Sequence, residues 1–400
     1  MEMKEGRKRV IISGVSPEVD GGLFPIKRTV GEKVAVEADI FTDGHDLLSC
    51  VLLFRKEGDR DWEAVPMEPL VNDRLRGSFR VSDMGRYRYT LKAWVDRFRT
   101  WRRDLKKRVD AGQDVSVDLQ VGVQLIEQAV PRAKGAVAKD LKQRVAQIAG
   151  AQDPENKILL ALDDDLAELM SLHSERRFVT TYEKELSVVV EREKARFSTW
   201  YEMFPRSCAS RPGKHGSFKE CERVLPYVAS MGFDVLYFPP VHPVGVSHRK
   251  GKNNSPAAKP GEPGSPWAIG SEAGGHKHIH PELGTLDDFR RLMQKARELG
   301  IEIALDLAFQ CSPDHPYVKE HPEWFRWRPD GTLQYAENPP KKYEDIYPLN
   351  FECDQWQDLF AELKSVVVFW IEQGIRIFRV DNPHTKPFTF WEWLIGEVKR

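Results

Sequence analysis

The chain has 400 residues, 41% of them hydrophobic and 30% charged, a balance that suits a globular protein of two or three domains. Lys and Arg number 60 against 61 Asp and Glu, for a net charge of −1, so the basic excess of a nucleic-acid or membrane-surface protein is missing. No apolar run approaches the roughly 18 residues of a membrane helix. The start MEMKEGRKRVIISG lacks the apolar core and small-residue cleavage site of a secretory leader, so the expected compartment is the cytoplasm. Cys50, Cys208, Cys221, Cys311 and Cys353 are widely spaced. They form neither a CxxC metal site nor a disulfide framework, which agrees with a reducing compartment.

In chain order, residues 9 to about 103 alternate with period two. Val34, Val36, Ala38 and Ile40 share one face, as do Tyr87, Tyr89, Leu91, Ala93 and Val95. Such alternation, broken by turns such as Asp83-Met84-Gly85, predicts antiparallel strands in a small β-sandwich. From about 104 to 176 the apolar spacing becomes helical, in QLIEQAV, VAKDLKQRVAQIA and KILLALDDDLAELMSLH, predicting a helical bundle. LSVVVEREKARF alternates again, so the bundle is read as an insertion into a sandwich spanning 1–103 and 177–198. The basic run RFRTWRRDLKKR (97–108) is read as a solvated strand end leading into a helix rather than as a polyanion-binding segment.

From 199 onward strands alternate with helices, and three helices end at Gly232, Gly300 and Gly374, each followed at once by an apolar strand. Glycine at that position takes the left-handed conformation that stops a helix. Thr285, with Asp288 three residues on, marks a helix start. The pattern predicts an α/β fold with a parallel sheet, a (β/α)8 barrel or a doubly wound sheet. No glycine-rich phosphate loop follows any strand, against the nucleotide-binding version. Two long loops, 241–284 and 311–353, leave strand C-termini, where a barrel keeps its active site. Eight of the 11 tryptophans lie at or after Trp200; aromatic rings there can stack on sugars or simply fill a core.

Asp381 ends the strand IRIFRVD, and Arg379 two residues earlier shares its face. A guanidinium holds a carboxylate ionised and oriented, as the nucleophile of a retaining glycosyl transfer requires. A purely structural Arg–Asp pair is the alternative. Residue type alone reads Lys341-Lys342 as a solvated loop.

FRVDNPHTKP resembles the segment that carries the nucleophile in the α-amylase superfamily (glycoside hydrolase family 13). IALDLAFQCSPDHP resembles that superfamily's third barrel strand, with Asp306 as a carboxylate beside the site. RKGKNNSP, GSPWAIG, GGHKHIHPELGT, QCSPDHP and KKYEDIYPLNFE resemble the bacterial α-1,4-glucan:maltose-1-phosphate maltosyltransferases. The resemblance covers most of 199–400 and, more loosely, the front of the chain. It implies Asp381 as nucleophile, Arg379 as its orienter and Asn382 beside the leaving group. Lys250 (or Lys252), Gln310, Asn338, Lys341 and Tyr343 would line the donor site and its phosphate. The implied partners are α-maltose 1-phosphate, an α-1,4-glucan and a second copy of the chain through the N-terminal domains. A glucan hydrolase or branching enzyme is the alternative of like chemistry, and a non-catalytic glucan-binding fragment the alternative of another class.

Two departures from the superfamily stand out. The Asn-His pair usual after the third-strand Asp is Gln310-Cys311 here, which leaves out a calcium-binding Asn and a sugar-holding His. No His, Cys or carboxylate set has metal-like spacing, so neither metal nor cofactor is expected; the alternating His276, His278 and His280 read as local hydrogen bonding. Retaining chemistry also needs an acid/base carboxyl about 5–5.5 Å from the nucleophile. Only four barrel strands are expected in 199–400, an incomplete barrel shorter than the roughly 250 residues of a whole one. Glu392 and Glu397 fall in a helix. The acid/base is therefore expected beyond Arg400, and the 400 residues alone are expected to lack transfer and to associate or dissolve poorly through an open sheet edge.

Overall fold

The structure, a computed structural model, describes residues 6–400; part of the N-terminal start read above for a leader, Met1–Glu5, lies outside the described residues. The fold divides after Phe197 into two compact units.

The first unit holds β1 (Ile11–Ser16), β2 (Ile26–Thr29), β3 (Lys33–Phe41), β4 (Leu48–Lys56), β5 (Glu63–Pro66), β6 (Glu68–Pro69), β7 (Arg74–Arg80) and β8 (Gly85–Val95). Then come α1 (Arg97–Asp110), α2 (Ser116–Ala129), α3 (Gly135–Gly150), α4 (Pro154–Ala161) and α5 (Asp164–His173), followed by β9 (Thr180–Thr181) and β10 (Leu186–Glu191). One sheet runs β1-β3-β7-β6 and a second β2-β10-β8-β4-β5, with β9 beside β8. The alternating sets Val34, Val36, Ala38, Ile40 and Tyr87, Tyr89, Leu91, Ala93 are all buried in one shared core. Period-two side chains leave opposite faces of a strand, so each sheet hides one apolar face against the other. Between β8 and β9, all five helices surround a separate core that includes Trp101, Leu105, Ile126 and Leu141.

Helix starts here differ from the spacing-based reading. Helical structure begins at Arg97, not near 104, because Asp96 leaves the strand and its side chain caps α1 by accepting from the Arg99 N–H at 2.9 Å. The basic run is thus a helix over its whole length. KILLALDDDLAELMSLH is two helices, since Asp163 caps α5 at the Leu166 N–H.

The second unit contains β11 (Trp200–Glu202), α6 (Phe218–Ser230), β12 (Val235–Phe238), α7 (Leu286–Glu298), β13 (Glu302–Leu307), β14 (Gln310–Cys311) and α8 (Pro316–Glu320). It continues with β15 (Ala336–Asn338), β16 (Lys341–Tyr343), β17 (Tyr347–Pro348), α9 (Trp356–Glu372), β18 (Ile377–Val380) and α10 (Phe388–Val398). β11, β12, β13 and β18 form an all-parallel sheet in that order. Helices α6 and α7 start with capping boxes, Ser217 with Glu220 and Thr285 with Asp288. Gly232, Gly300 and Gly374 follow α6, α7 and α9 at φ of 81°, 77° and 106°, conformations that a Cβ would strain.

Both faces of the sheet are covered or used. Leu236, Phe238, Leu305 and Leu307 pack with α6, α7 and α9. The other face carries Val235, Tyr237, Ala304 and Ile377 and, one step further along the strands, Asp306 directly across from Arg379. The alternation that buries the helix-side leucines therefore sends the polar side chains to the opposite face, at the C-terminal strand ends. The 311–353 loop has structure of its own: α8, a β15–β16 hairpin and a β14–β17 pair.

Candidate active site

Asp381 follows β18 directly and is 9% exposed. Arg379 Nη1 donates to Asp381 Oδ1 at 2.7 Å and to Asp306 Oδ2 at 3.0 Å. Asp306 also accepts from the Tyr237 hydroxyl, and the Arg379 guanidinium lies over the Tyr237 ring, 5.6 Å from its centre. Asn382 Nδ2 donates to the second Asp381 oxygen at 3.0 Å. Both oxygens of Asp381 are thus held by donors, which fixes the carboxylate plane. Asn382 itself is left-handed, at φ 44° and ψ 57°, a conformation that Asn tolerates and most residues do not.

Burial pushes Asp306 up to about 6, and Asp381 adds to the push, while Tyr237 and Arg379 pull the other way. Arg379 is pulled down by burial, but Asp381 and Asp306 outweigh that and hold it above the usual arginine value.

Gln310, Asn338, Tyr343 and Asn382 line one cleft of about 670 Å³, within the size range of small-molecule sites. Four of the six residues assigned above to donor and phosphate binding are therefore neighbours, though they come from β14, the hairpin and the segment after β18. Lys341 stands across the hairpin from Asn338 and is exposed, outside the cleft lining. Lys250 is also outside the lining; it is half-buried and its charge acts on Asp345, a buried carboxyl whose Oδ1 has no hydrogen-bond partner. Lys252 is exposed in a single turn, Lys252–Asn254.

Two residues escaped the sequence reading. Tyr237 is one; its strand is apolar throughout, and only the register Tyr237–Ala304 shows that its hydroxyl reaches Asp306. Lys386 is the other. It is 8% exposed, lines the cleft, and burial brings its amine down to about 8 against the opposing pull of Asp381 and Asp306. Its position five residues after Asp381 was the available signal. Glu397, weighed and set aside as an acid, pairs with Lys364 and Arg400 from within α10. His215, His280 and Glu282 bring ligand-type atoms within 4.8 Å of one another. His280 Nδ1, however, accepts from the Glu282 N–H, which leaves the ring proton of the neutral form on Nε2.

A buried Arg-bridged pair of carboxyls at the C-terminal ends of parallel strands, beside a cleft lined by amides, two tyrosines, Glu337, His384 and Lys386, is the arrangement of an α-amylase-like catalytic domain. The family model described as "Alpha amylase, catalytic domain" matches residues 202–386. Residues 8–192 match the model described as "Alpha-1,4-glucan:maltose-1-phosphate maltosyltransferase, domain N/S". The chain is 53% identical to the α-1,4-glucan:maltose-1-phosphate maltosyltransferase of Chlorobaculum tepidum over 99% of its own length and 59% of the relative's. It is 50% identical to the enzyme of the same name from Methylacidiphilum infernorum, again over 99% and 59%. It therefore spans about three fifths of the length of these relatives. Among solved structures, an α-amylase from Lactobacillus plantarum is 29% identical, covering 50% of this chain and 42% of that one at a TM-score of 0.42.

Proposed function

We propose that this chain supplies the nucleophile and donor-binding half of a retaining maltosyltransferase that moves maltosyl from α-maltose 1-phosphate to the non-reducing end of an α-1,4-glucan. The observation that carries the reading is the carboxylate of Asp381, gripped by Arg379 and Asn382 at the edge of a cleft lined by Gln310, Asn338 and Tyr343. Asp381 attacks the anomeric carbon and the bond to the phosphate oxygen breaks. The β-maltosyl ester then yields to the acceptor 4-hydroxyl, and two inversions retain the configuration. Amides and a phenol donate to a phosphate without a guanidinium fork; Lys386 adds a cation to the cleft, while Lys341 and Lys250 stand outside its lining. Retaining transfer also needs a second carboxyl as acid/base to take the acceptor's proton.

The two sheets of the first unit, with five helices between β8 and β9, support a β-sandwich carrying a helical insertion, expected at 104–176 from spacing and helical from Arg97 to His173 in the structure. The four parallel strands of the second support the first half of a (β/α)8 barrel. No helix among the described residues is long and apolar enough to cross a membrane. A cytoplasmic homodimer joined through the N-terminal unit is part of the same proposal, and rests on the resemblance to the maltosyltransferases.

The test is phosphate release and glucan elongation from α-maltose 1-phosphate and a maltooligosaccharide, in a protein of the relatives' full length. Asp381→Asn is expected to lower both on the order of 10⁴-fold or more while leaving donor affinity nearly unchanged. Hydrolysis of glucan without the phosphate donor would favour the hydrolase alternative. Glucan binding with no turnover would favour the non-catalytic one.

A further inference from the structure

The first unit holds a second cleft, of about 590 Å³, within the helical part. Arg99, Arg102, Arg103 and Lys106 line it. Their spacing of three, four and seven residues puts all four on one face of α1, beside the face that buries Phe98, Trp101 and Leu105. The facing wall is α5, which presents Asp164, Ala167 and Ser171; the last two are too short to fill the space between the helices. Four cations thus stand in a stripe roughly 10 Å long, from the 1.5 Å rise per residue of a helix.

The charges in this cleft are poorly matched by the protein. Lys106 pairs with no carboxylate among the described residues. Among the described residues Arg103 pairs only with Asp104, its sequence neighbour, at 2.8 Å. Arg102 pairs with Asp164 at 2.6 Å, but that carboxylate is 95% exposed, and such a contact is weak and exchangeable. Arg102 Nε is buried with no hydrogen-bond partner, an arrangement that costs stability unless something accepts from it. Arg99 is fixed in place by the Leu48 carbonyl at 2.8 Å and Ser49 Oγ at 3.2 Å, so part of the stripe is preorganised. Guanidinium groups favour phosphate oxygens in paired, charge-assisted bonds.

We infer that this cleft is a binding site for a small ligand carrying two or more phosphate groups, separate from the catalytic cleft. A single phosphate would engage one end of the stripe, whereas the spread of cations matches linked phosphates. The stripe is only roughly 10 Å long, which suits a compact ligand rather than a long polyanion that would need an extended groove.

The experiment is calorimetric titration of the full chain with inorganic tripolyphosphate at low and at about 0.15 M salt, with glucose 1-phosphate as the single-phosphate comparison. One tripolyphosphate per chain is expected, at least about tenfold tighter than glucose 1-phosphate and weakened at least about tenfold in Arg102→Gln/Lys106→Gln. Because Arg102 also donates to the Leu162 carbonyl at 2.7 Å, Arg103→Gln/Lys106→Gln, which touches no such contact, serves as a second variant and should weaken binding in the same direction. Far-UV circular dichroism checks that both fold. Asn382→Ala, in the catalytic cleft, should leave this binding unchanged. No binding at 0.15 M salt, binding lost in Asn382→Ala but kept in both α1 variants, or several chains collecting on one long polyphosphate would each overturn the inference.

Discussion

At the scale of single residues, the site turns on how one guanidinium serves two carboxyls with different tasks. Arg379 spans Asp381 and Asp306, but only Asp306 also takes the Tyr237 hydroxyl and leaves one oxygen, Oδ1, buried without a partner. Burial places Asp306 at about 6, above its ordinary 3.8. An acid with a raised folded value stabilises the fold fully below its unfolded value and loses that contribution as pH rises through the folded one. Thermal midpoints of wild type and Asp306→Asn are therefore expected to diverge between about pH 4 and 6, with the wild type falling relative to the variant as pH rises. A constant offset across that range would show that Asp306 does not titrate there. Tyr237→Phe removes a donor that lowers the Asp306 value, so in this variant the divergence should extend to higher pH.

At the scale of elements, the end of β13 is held by a chain of histidines. The Tyr317 N–H donates to His315 Nδ1 at 3.0 Å, which leaves the proton of neutral His315 on Nε2. That proton is donated to His276 Nδ1 at 3.0 Å, and His276 Nε2 donates in turn to the Ala308 carbonyl at 3.0 Å. Ala308 lies midway between Asp306 and Gln310, so the relay sets the backbone between a site carboxyl and a cleft amide. Protonating His276 or His315 would set two N–H groups against each other. Burial accordingly lowers His276 to about 4 and His315 to about 2, and nearby His242 to about 3. A base with a depressed folded value contributes fully above its unfolded value, near 6.5, and loses that contribution as pH falls through the folded one. Stability is expected to drop from pH 6.5 toward 4, and His276→Gln should flatten that drop while costing about 1–3 kcal/mol at pH 7. An unchanged pH slope in the variant, read from thermal or urea unfolding, would argue against the relay.

At the scale of the whole molecule, the two units have separate apolar cores. Leu91 lies in the sheet core of the first and Leu363 in the helix–sheet core of the second, both fully buried. Two closed cores favour more than one cooperative transition. Calorimetry is expected to resolve at least two, with Leu91→Ala and Leu363→Ala each moving a different one, at a cost of about 2–5 kcal/mol apiece. Both variants shifting one common transition would show that the units unfold together.

Periodicity made much of this legible from the residues alone. Strand alternation marked Val34 to Ile40 and Tyr87 to Ala93 as core, because period two leaves one face of a strand no alternative to burial. Glycines 232, 300 and 374 marked three helix ends, because only glycine adopts that backbone without strain. The pairing of Arg379 with Asp381 followed from two residues of spacing on one strand. Helix starts at Asp96 and Asp163 were less legible, since a capping side chain competes with an apolar pattern that runs through it. What no spacing contained was convergence between distant segments. Tyr237 reaching Asp306, Lys386 lining the cleft, Lys341 left outside it, and Ala308 held by His276 all depend on which strands are neighbours and in what register. Local sequence determined the elements and the nucleophile's nearest partner, because those interactions act within a few residues. The cleft, its shifted acidities and its second ring of side chains were decided only by the tertiary structure, because burial and long-range pairing exist nowhere else.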